Sequence, residues 1–219
     1  MAGELDGLKV AVLATDGVEQ VELDRPWQAL EEAGAEPILV SLDTGTITAY
    51  DHIDKGETKK VDATVGTADP DDYGALVLPG GVINGDFVRA DADAVAFVTA
   101  FFDAGKPVAA ICHAPWVLAE ADVVRGRRMT SWPSLQTDLR NAGADWVDEE
   151  VVIDGNLITS RKPDDLDAFG AAIVEQFGAD LLQRLPRPVQ LDLLDAVRGQ
   201  HGDLHPVQFS CHGPRLPGS

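Results

Sequence analysis

Short apolar runs alternate along this chain with longer stretches whose apolar positions recur at helical spacing. Leu8-Lys9-Val10-Ala11-Val12-Leu13-Ala14 is nearly continuous and stops at Asp16-Gly17, the pattern of a strand buried on both faces. From Glu22 to Ala33, Leu23, Trp27 and Leu30 fall on one helical face, and Gly34 follows the last turn. Pro37 to Ser41 reads as the next strand, so the order strand, helix, strand predicts parallel pairing through a right-handed crossover. Residues 42–74 are more polar, with β-prone pieces at Thr46 to Thr48 and Val61 to Val65 that predict a hairpin or an irregular excursion. Ala75 to Leu78 is again a central strand, stopped by Pro79-Gly80-Gly81. Asp91 to Ala104 carries Val95, Val98, Phe101 and Phe102 on a helical stripe, and Pro107 to Ile111 is a strand that runs into Cys112. The pattern further predicts a helix over Pro115 to Ala121 with proline in its first turn, a short strand over Met129 to Ser131, and a helix over Ser134 to Ala142 capped by Ser134. A hairpin over Val151 to Thr159 around an Asp-Gly turn and a last helix from Pro163 to Phe177 complete the series. This is the order of a doubly wound α/β sandwich, whose ligands sit at the carboxyl ends of the strands.

After about Gly178 the character changes. One short amphipathic piece, residues 189–197, is framed by Pro186, Pro188 and Gly199, and the remainder is rich in Gly, Pro and His. The expected organisation is an α/β domain over 7–178 and a C-terminal extension, partly irregular, over 179–219. The chain's 219 residues, 45% of them hydrophobic, suit one such core.

Charge and cysteine usage narrow the function. The formal charge of −20, from 37 acidic against 17 basic residues, sets up a field that repels nucleic acid. No apolar run has the length of a bilayer span and the first residues lack a secretory pattern, so the expectation is a soluble cytoplasmic protein with neither nucleic-acid nor membrane partners. Cys112 and Cys211 lie far apart in unlike contexts, which favours reduced thiols.

Ala110-Ile111-Cys112-His113-Ala114 has small residues on either side of a cysteine at a strand-to-helix junction, the form in which α/β folds present a nucleophile on a tight turn. A sulfur there faces the first N–H groups of the following helix, which favour thiolate. The bland alternative is a buried cysteine acting as a small hydrophobe. Pro79-Gly80-Gly81 ends the neighbouring central strand; with the N–H of His113 it offers an oxyanion site, or else is a simple tight turn. Glu19, just beyond the first strand, is placed either to reach the thiol or to cap the helix that follows.

Six blocks, "TDGVEQVEL", "DYGALVLPGG", "GKPVAAICHAP", "VRGRRMTSWP", "NAGADWVDEEVVIDGN" and "SRKPDDL", resemble in order and spacing the PfpI family, intracellular cysteine peptidase type, of the ThiJ/PfpI superfamily. The resemblance covers Leu8 to about Phe177. It implies a flavodoxin-like sandwich with a mostly parallel central sheet and Cys112 as the elbow nucleophile. It implies that Glu19 is the protonated glutamate bonded to the sulfur, that His113 is the adjacent histidine, and that Gly81 and the His113 backbone are the oxyanion donors. By the same resemblance Asp86 orients His113 from a neighbouring subunit, so the chain is expected to be a homodimer or hexamer. The family usually has glycine where this chain has Ala114. Ser210-Cys211-His212-Gly213-Pro214 repeats the family's Cys-His-Gly-Pro string, but no apolar strand precedes it and no helix can follow.

The implied chemistry is that of a cysteine-dependent enzyme in stress protection. It is either a peptidase-like hydrolase working through a thioester or a glyoxalase III/deglycase acting on 2-oxoaldehydes or their protein adducts. No cofactor or metal is expected; His201, His205, Cys211 and His212 fit no standard ligand spacing. Glutamine amidotransfer is disfavoured, because Ser160-Arg161-Lys162-Pro163 lacks the histidine that chemistry needs. The non-catalytic alternative is a redox-sensing stress protein that uses oxidation of Cys112.

Overall fold

The computed structural model describes residues 3–184. A seven-stranded sheet forms the centre, in the order β10-β11-β7-β6-β1-β2-β5. Its members are β1 (Lys9–Leu13), β2 (Glu36–Ser41), β5 (Ala63–Thr64), β6 (Ala75–Leu78), β7 (Val108–Ile111), β10 (Val151–Asp154) and β11 (Leu157–Ser160). All neighbours run parallel except β10, which pairs antiparallel with β11. This is the expected flavodoxin-like sandwich.

The continuous apolar strands follow from having cores on both sides. Along β1, Val10 and Val12 enter one core while Ala11 and Leu13 enter the other, and β6 and β7 divide their side chains in the same way. The first core is closed by α1 (Gln20–Glu32) and α6 (Leu166–Arg184), which pack together through residues such as Leu23, Leu30, Phe169 and Ile173. The second is closed by α2 (Val82–Ala90), α3 (Ala92–Asp103), α4 (Pro115–Glu120) and α5 (Gln136–Asn141), with Phe97, Phe101, Leu118 and Leu139 inside. Asp91 caps α3 by accepting the Ala94 N–H at 2.8 Å.

Several details depart from the pattern reading. The polar stretch after β2 is a true hairpin, β3 (Thr46–Asp51) with β4 (Asp54–Lys60), and it stands apart from the central sheet. Helix α2 has no counterpart among the expected elements, because its apolar residues face out: Val82, Ile83 and Phe87 are 54%, 42% and 52% exposed, while Asn84, Gly85 and Val88 are buried. The strand expected near Met129 is β8 (Arg128–Met129), which pairs with β9 (Asp145–Trp146) in a separate two-stranded ribbon. Ser134 caps nothing; the chain enters α5 through a 3₁₀ turn over Pro133–Leu135 that proline initiates. Helix α6 runs on past Phe177 to Arg184. The amphipathic piece at 189–197 and the Cys211-His212 string lie outside the described residues.

Candidate active site

Cys112 leaves the carboxyl end of β7 with φ +62°, a left-handed conformation that a side-chain-bearing residue adopts only when its surroundings enforce it. Here they do. The Cys112 N–H donates to Ser160 O at 3.1 Å, at the end of β11, and the Cys112 carbonyl accepts the Trp132 N–H at 2.8 Å. The thiol is 6% exposed, yet it forms part of the wall of a cavity of about 390 Å³ that opens above the sheet. Helix α4 is only six residues long, so its dipole is a small contribution.

Three groups converge on the sulfur. The Nδ1 of His113 lies 3.2 Å from Sγ. The backbone N–H groups of Gly81 and His113 point at it, where sequence reasoning put the oxyanion donors. The third group is a carboxyl, and it is Glu22 rather than Glu19. Glu22 is fully buried, faces the Cys112 sulfur and the Gly80 N–H, and neither of its oxygens makes a well-aligned hydrogen bond. Glu19 lines the same cavity, but its Oε2 accepts the His52 N–H at 3.1 Å, and its Oε1 lies 3.5 Å from His52 Nδ1. It occupies the N-cap position of α1 without capping it. A signal for Glu22 was present in the sequence: it falls on the same buried face of α1 as Leu23, Pro26 and Leu30, and a charge on an apolar stripe calls for a reason.

Burial sets the protonation of this cluster. Loss of hydration pushes the Glu22 carboxyl up to about 8, helped by the charge of Glu19 and opposed by the contacts with Cys112 and the Gly80 N–H. Burial also pushes the Cys112 thiol up, a charged Glu22 adding to the effect and the Gly81 and His113 N–H groups opposing it. A protonated Glu22 reverses its own contribution by becoming a hydrogen-bond donor to sulfur. Burial drives His113 down to about 4, so at neutral pH its imidazole is uncharged and Nδ1 can take a proton. Burial thus favours the thiol, while the two N–H groups and a protonated Glu22 favour the thiolate that the elbow suggests. The His113 ring is held between Trp132, stacked at 5.8 Å, and Trp116, edge-on at 5.3 Å.

The turn after β6 is built for close approach. Gly81 has φ +95°, and a Cβ there would lie 2.3 Å from Gly17 O and 2.7 Å from Glu19 N, both backbone atoms. Asn84, missed by sequence reasoning, ties this turn to the loop after β1: Oδ1 accepts the Thr15 N–H at 2.8 Å and Nδ2 donates to Pro79 O at 2.9 Å and Gly80 O at 3.1 Å. We expect Gly81→Ala to cost about 3 kcal/mol or more in urea unfolding, since both the φ angle and the clash oppose it. A loss below about 1 kcal/mol would mean that the turn can relax.

Asp86 is exposed on α2 and makes no hydrogen bond with His113 of its own chain. The hairpin turn supplies the outer wall instead, bringing Tyr50, His52 and Ile53 to the cavity; Tyr50 N donates to Val18 O at 2.8 Å, which docks the hairpin beside the loop after β1. Among the described residues no helix is long and apolar enough to cross a membrane.

Comparison with known proteins places the chain among proteins of one family and fold. The DJ-1/PfpI family profile matches residues 8–176. The deglycase TK1284 of Thermococcus kodakarensis is 44% identical over 162 residues, which are 74% of this chain and 95% of that protein. YraA of Bacillus subtilis, which bears the provisional name of a cysteine protease, is 43% identical over 161 residues, 74% of this chain and 93% of its own. Among solved structures, a two-domain protein of Anabaena variabilis with DJ-1/ThiJ/PfpI-like and ferritin-like domains superposes with a TM-score of 0.74 at 37% identity, covering 78% of this chain and 48% of that one.

Proposed function

The chain belongs to the DJ-1/PfpI family, and from that premise we propose that it is a cysteine-nucleophile deglycase of glyoxalase III type, acting on 2-oxoaldehydes and their adducts. The observation that carries the reading is the Cys112 sulfur 3.2 Å from a neutral imidazole nitrogen, on a cavity of about 390 Å³. That volume takes a small molecule or one modified side chain.

On methylglyoxal, Sγ adds to the aldehyde carbon while the thiol proton passes to His113 Nδ1. The aldehyde oxygen gains the negative charge and is received by the N–H groups of Gly81 and His113, giving a hemithioacetal. Transfer of the hydrogen on that carbon to its neighbour converts the hemithioacetal to a thioester, and water releases lactate and the free thiol. The net change is addition of one water. Glu22, protonated, donates to sulfur throughout and holds its position. With an adduct, the amine nitrogen departs carrying a proton as sulfur takes its place.

The same sulfur and oxyanion donors would serve acyl transfer to water. Lactate formed from methylglyoxal at a rate far above release from fluorogenic peptides supports the deglycase reading; the reverse ratio selects the peptidase. Turnover of neither, with Cys112 readily oxidised, selects the redox sensor.

We further propose that Asp86 of the partner subunit orients His113 in a homo-oligomer. No described carboxylate of the same chain hydrogen-bonds that ring, and Asp86 is exposed on α2, whose outward residues Val82, Ile83 and Phe87 are apolar. Asp86→Asn is expected to lower kcat about tenfold or more. Mixing it with Cys112→Ala should restore activity, because each hybrid pairs one intact cysteine with one intact aspartate. Absence of restoration, or full activity on dilution to monomer, rejects the shared site.

A further inference from the structure

Among the described residues, no lysine or arginine lines the cavity to counter its carboxylates. The ionisable groups that line it are Glu19, Glu22, Tyr50, His52, Cys112 and His113. Burial favours the uncharged forms of Glu22 and His113, and Glu19 is the other carboxyl of the wall, with His52 Nδ1 3.5 Å from its Oε1. Glu19 is 8% exposed. The exposed Asp51 stands beside it, the polar atoms of Glu19, Asp51 and His52 lying within 4.8 Å of one another. Arg161 and Lys162 precede the lining residue Pro163, but Arg161 is bound by Asp148 and Asp165, and Lys162 by Asp164. The whole chain adds a formal charge of −20 behind this local field.

A buried carboxylate in such a wall attracts a cation and repels an anion more strongly than a solvated one, because little water lies between them. Trp132 and Tyr50 line the same cavity, and aromatic rings attract a planar guanidinium. We propose that Glu19 is a specificity-determining residue that selects the charge of what reaches Cys112. Neutral aldehydes and adducts carried on a guanidinium or ammonium are admitted, and ligands bearing carboxylate or phosphate are refused. As a statement about substrates this rests on the deglycase reading; as a statement about access to the sulfur it does not.

The test uses the sulfur as its own reporter. Rates of alkylation at Cys112, located by peptide mass, are measured with iodoacetamide and with iodoacetate at 0.15 M salt, and their ratio is compared with that of a free small thiol. The ratio is expected to exceed the free-thiol value about tenfold in the wild type and to come within about twofold of it in Glu19→Gln, which keeps the side-chain volume and an oxygen for the His52 N–H. In a second arm, kcat/KM is compared for methylglyoxal adducts of acetylarginine amide and of guanosine monophosphate. The arginine adduct is expected to be preferred, with the preference collapsing in Glu19→Gln and circular dichroism as the check on folding. An alkylation ratio equal to the free thiol's, or unmoved by Glu19→Gln, overturns the inference even if methylglyoxal is turned over. Charge selection in alkylation with no turnover of any adduct leaves the inference standing and removes the deglycase reading.

Discussion

Cys112→Ala will abolish lactate formation from methylglyoxal, with a loss of about a thousandfold or more in kcat/KM. Every step of the proposed reaction passes through a bond to Sγ, and among the described residues no other side chain stands where Gly81 and His113 both direct their N–H groups. Cys112→Ser is expected to be almost as inactive. A hydroxyl is far less acidic than a thiol, so the same imidazole removes its proton far less readily. Both variants should remain folded, since the elbow is held by backbone hydrogen bonds to Ser160 and from Trp132 that do not involve the side chain. The measurement is steady-state lactate release with circular dichroism as the control. Residual activity above about one per cent in Cys112→Ala would remove the sulfur from the mechanism.

Glu22→Gln is the second large effect, and it is read in two ways. Activity should fall about a hundredfold, because the amide cannot match the carboxylic acid as a donor to a sulfur that gains and loses charge. Stability should become less dependent on pH. In the wild type the folded carboxyl holds its proton up to about 8, whereas an unfolded glutamate loses it near 4.5, so the folded state binds the extra proton within that window. Stability from this group is therefore full below the unfolded value and declines as pH rises towards the folded one.

His113 works in the opposite direction. Its folded value of about 4 lies below the unfolded 6.5, so between these values the unfolded chain binds more protons and stability rises with pH. The two trends oppose one another below 6.5, and Glu22 acts alone between there and 8. The wild type is expected to lose about 2 kcal/mol across that upper interval, and Glu22→Gln to lose almost none. Urea denaturation at a series of pH values decides it. A flat wild-type profile would show that the sulfur and Glu22 share one proton instead of holding two.

Much of this protein was legible before any coordinates. The three central strands announced themselves because each must fill a core on either side, which leaves no polar face to interrupt the run. The elbow at Cys112 was legible because a sharp turn admits only small neighbours, and Gly81 because its backbone leaves no space for a Cβ. Helix α2 was not, since its apolar residues point outward and its buried ones are Asn84, Gly85 and Val88, an inversion that no amphipathic rule detects.

The choice between two glutamates three positions apart marks the division. Sequence alone determined that a carboxyl, a cysteine, a histidine and a Gly-Gly turn would gather at one end of a parallel sheet, because strand order and strand ends are set by local patterns. Only the tertiary structure decided which carboxyl faces sulfur. That depends on the rotation of α1 about its axis and on the hairpin that offers Glu19 the His52 N–H, and both are fixed by packing between segments far apart in the chain. Burial decided the rest, since the same side chains in water would hold their protons at ordinary values, and it is the removal of water that keeps Glu22 protonated and His113 neutral.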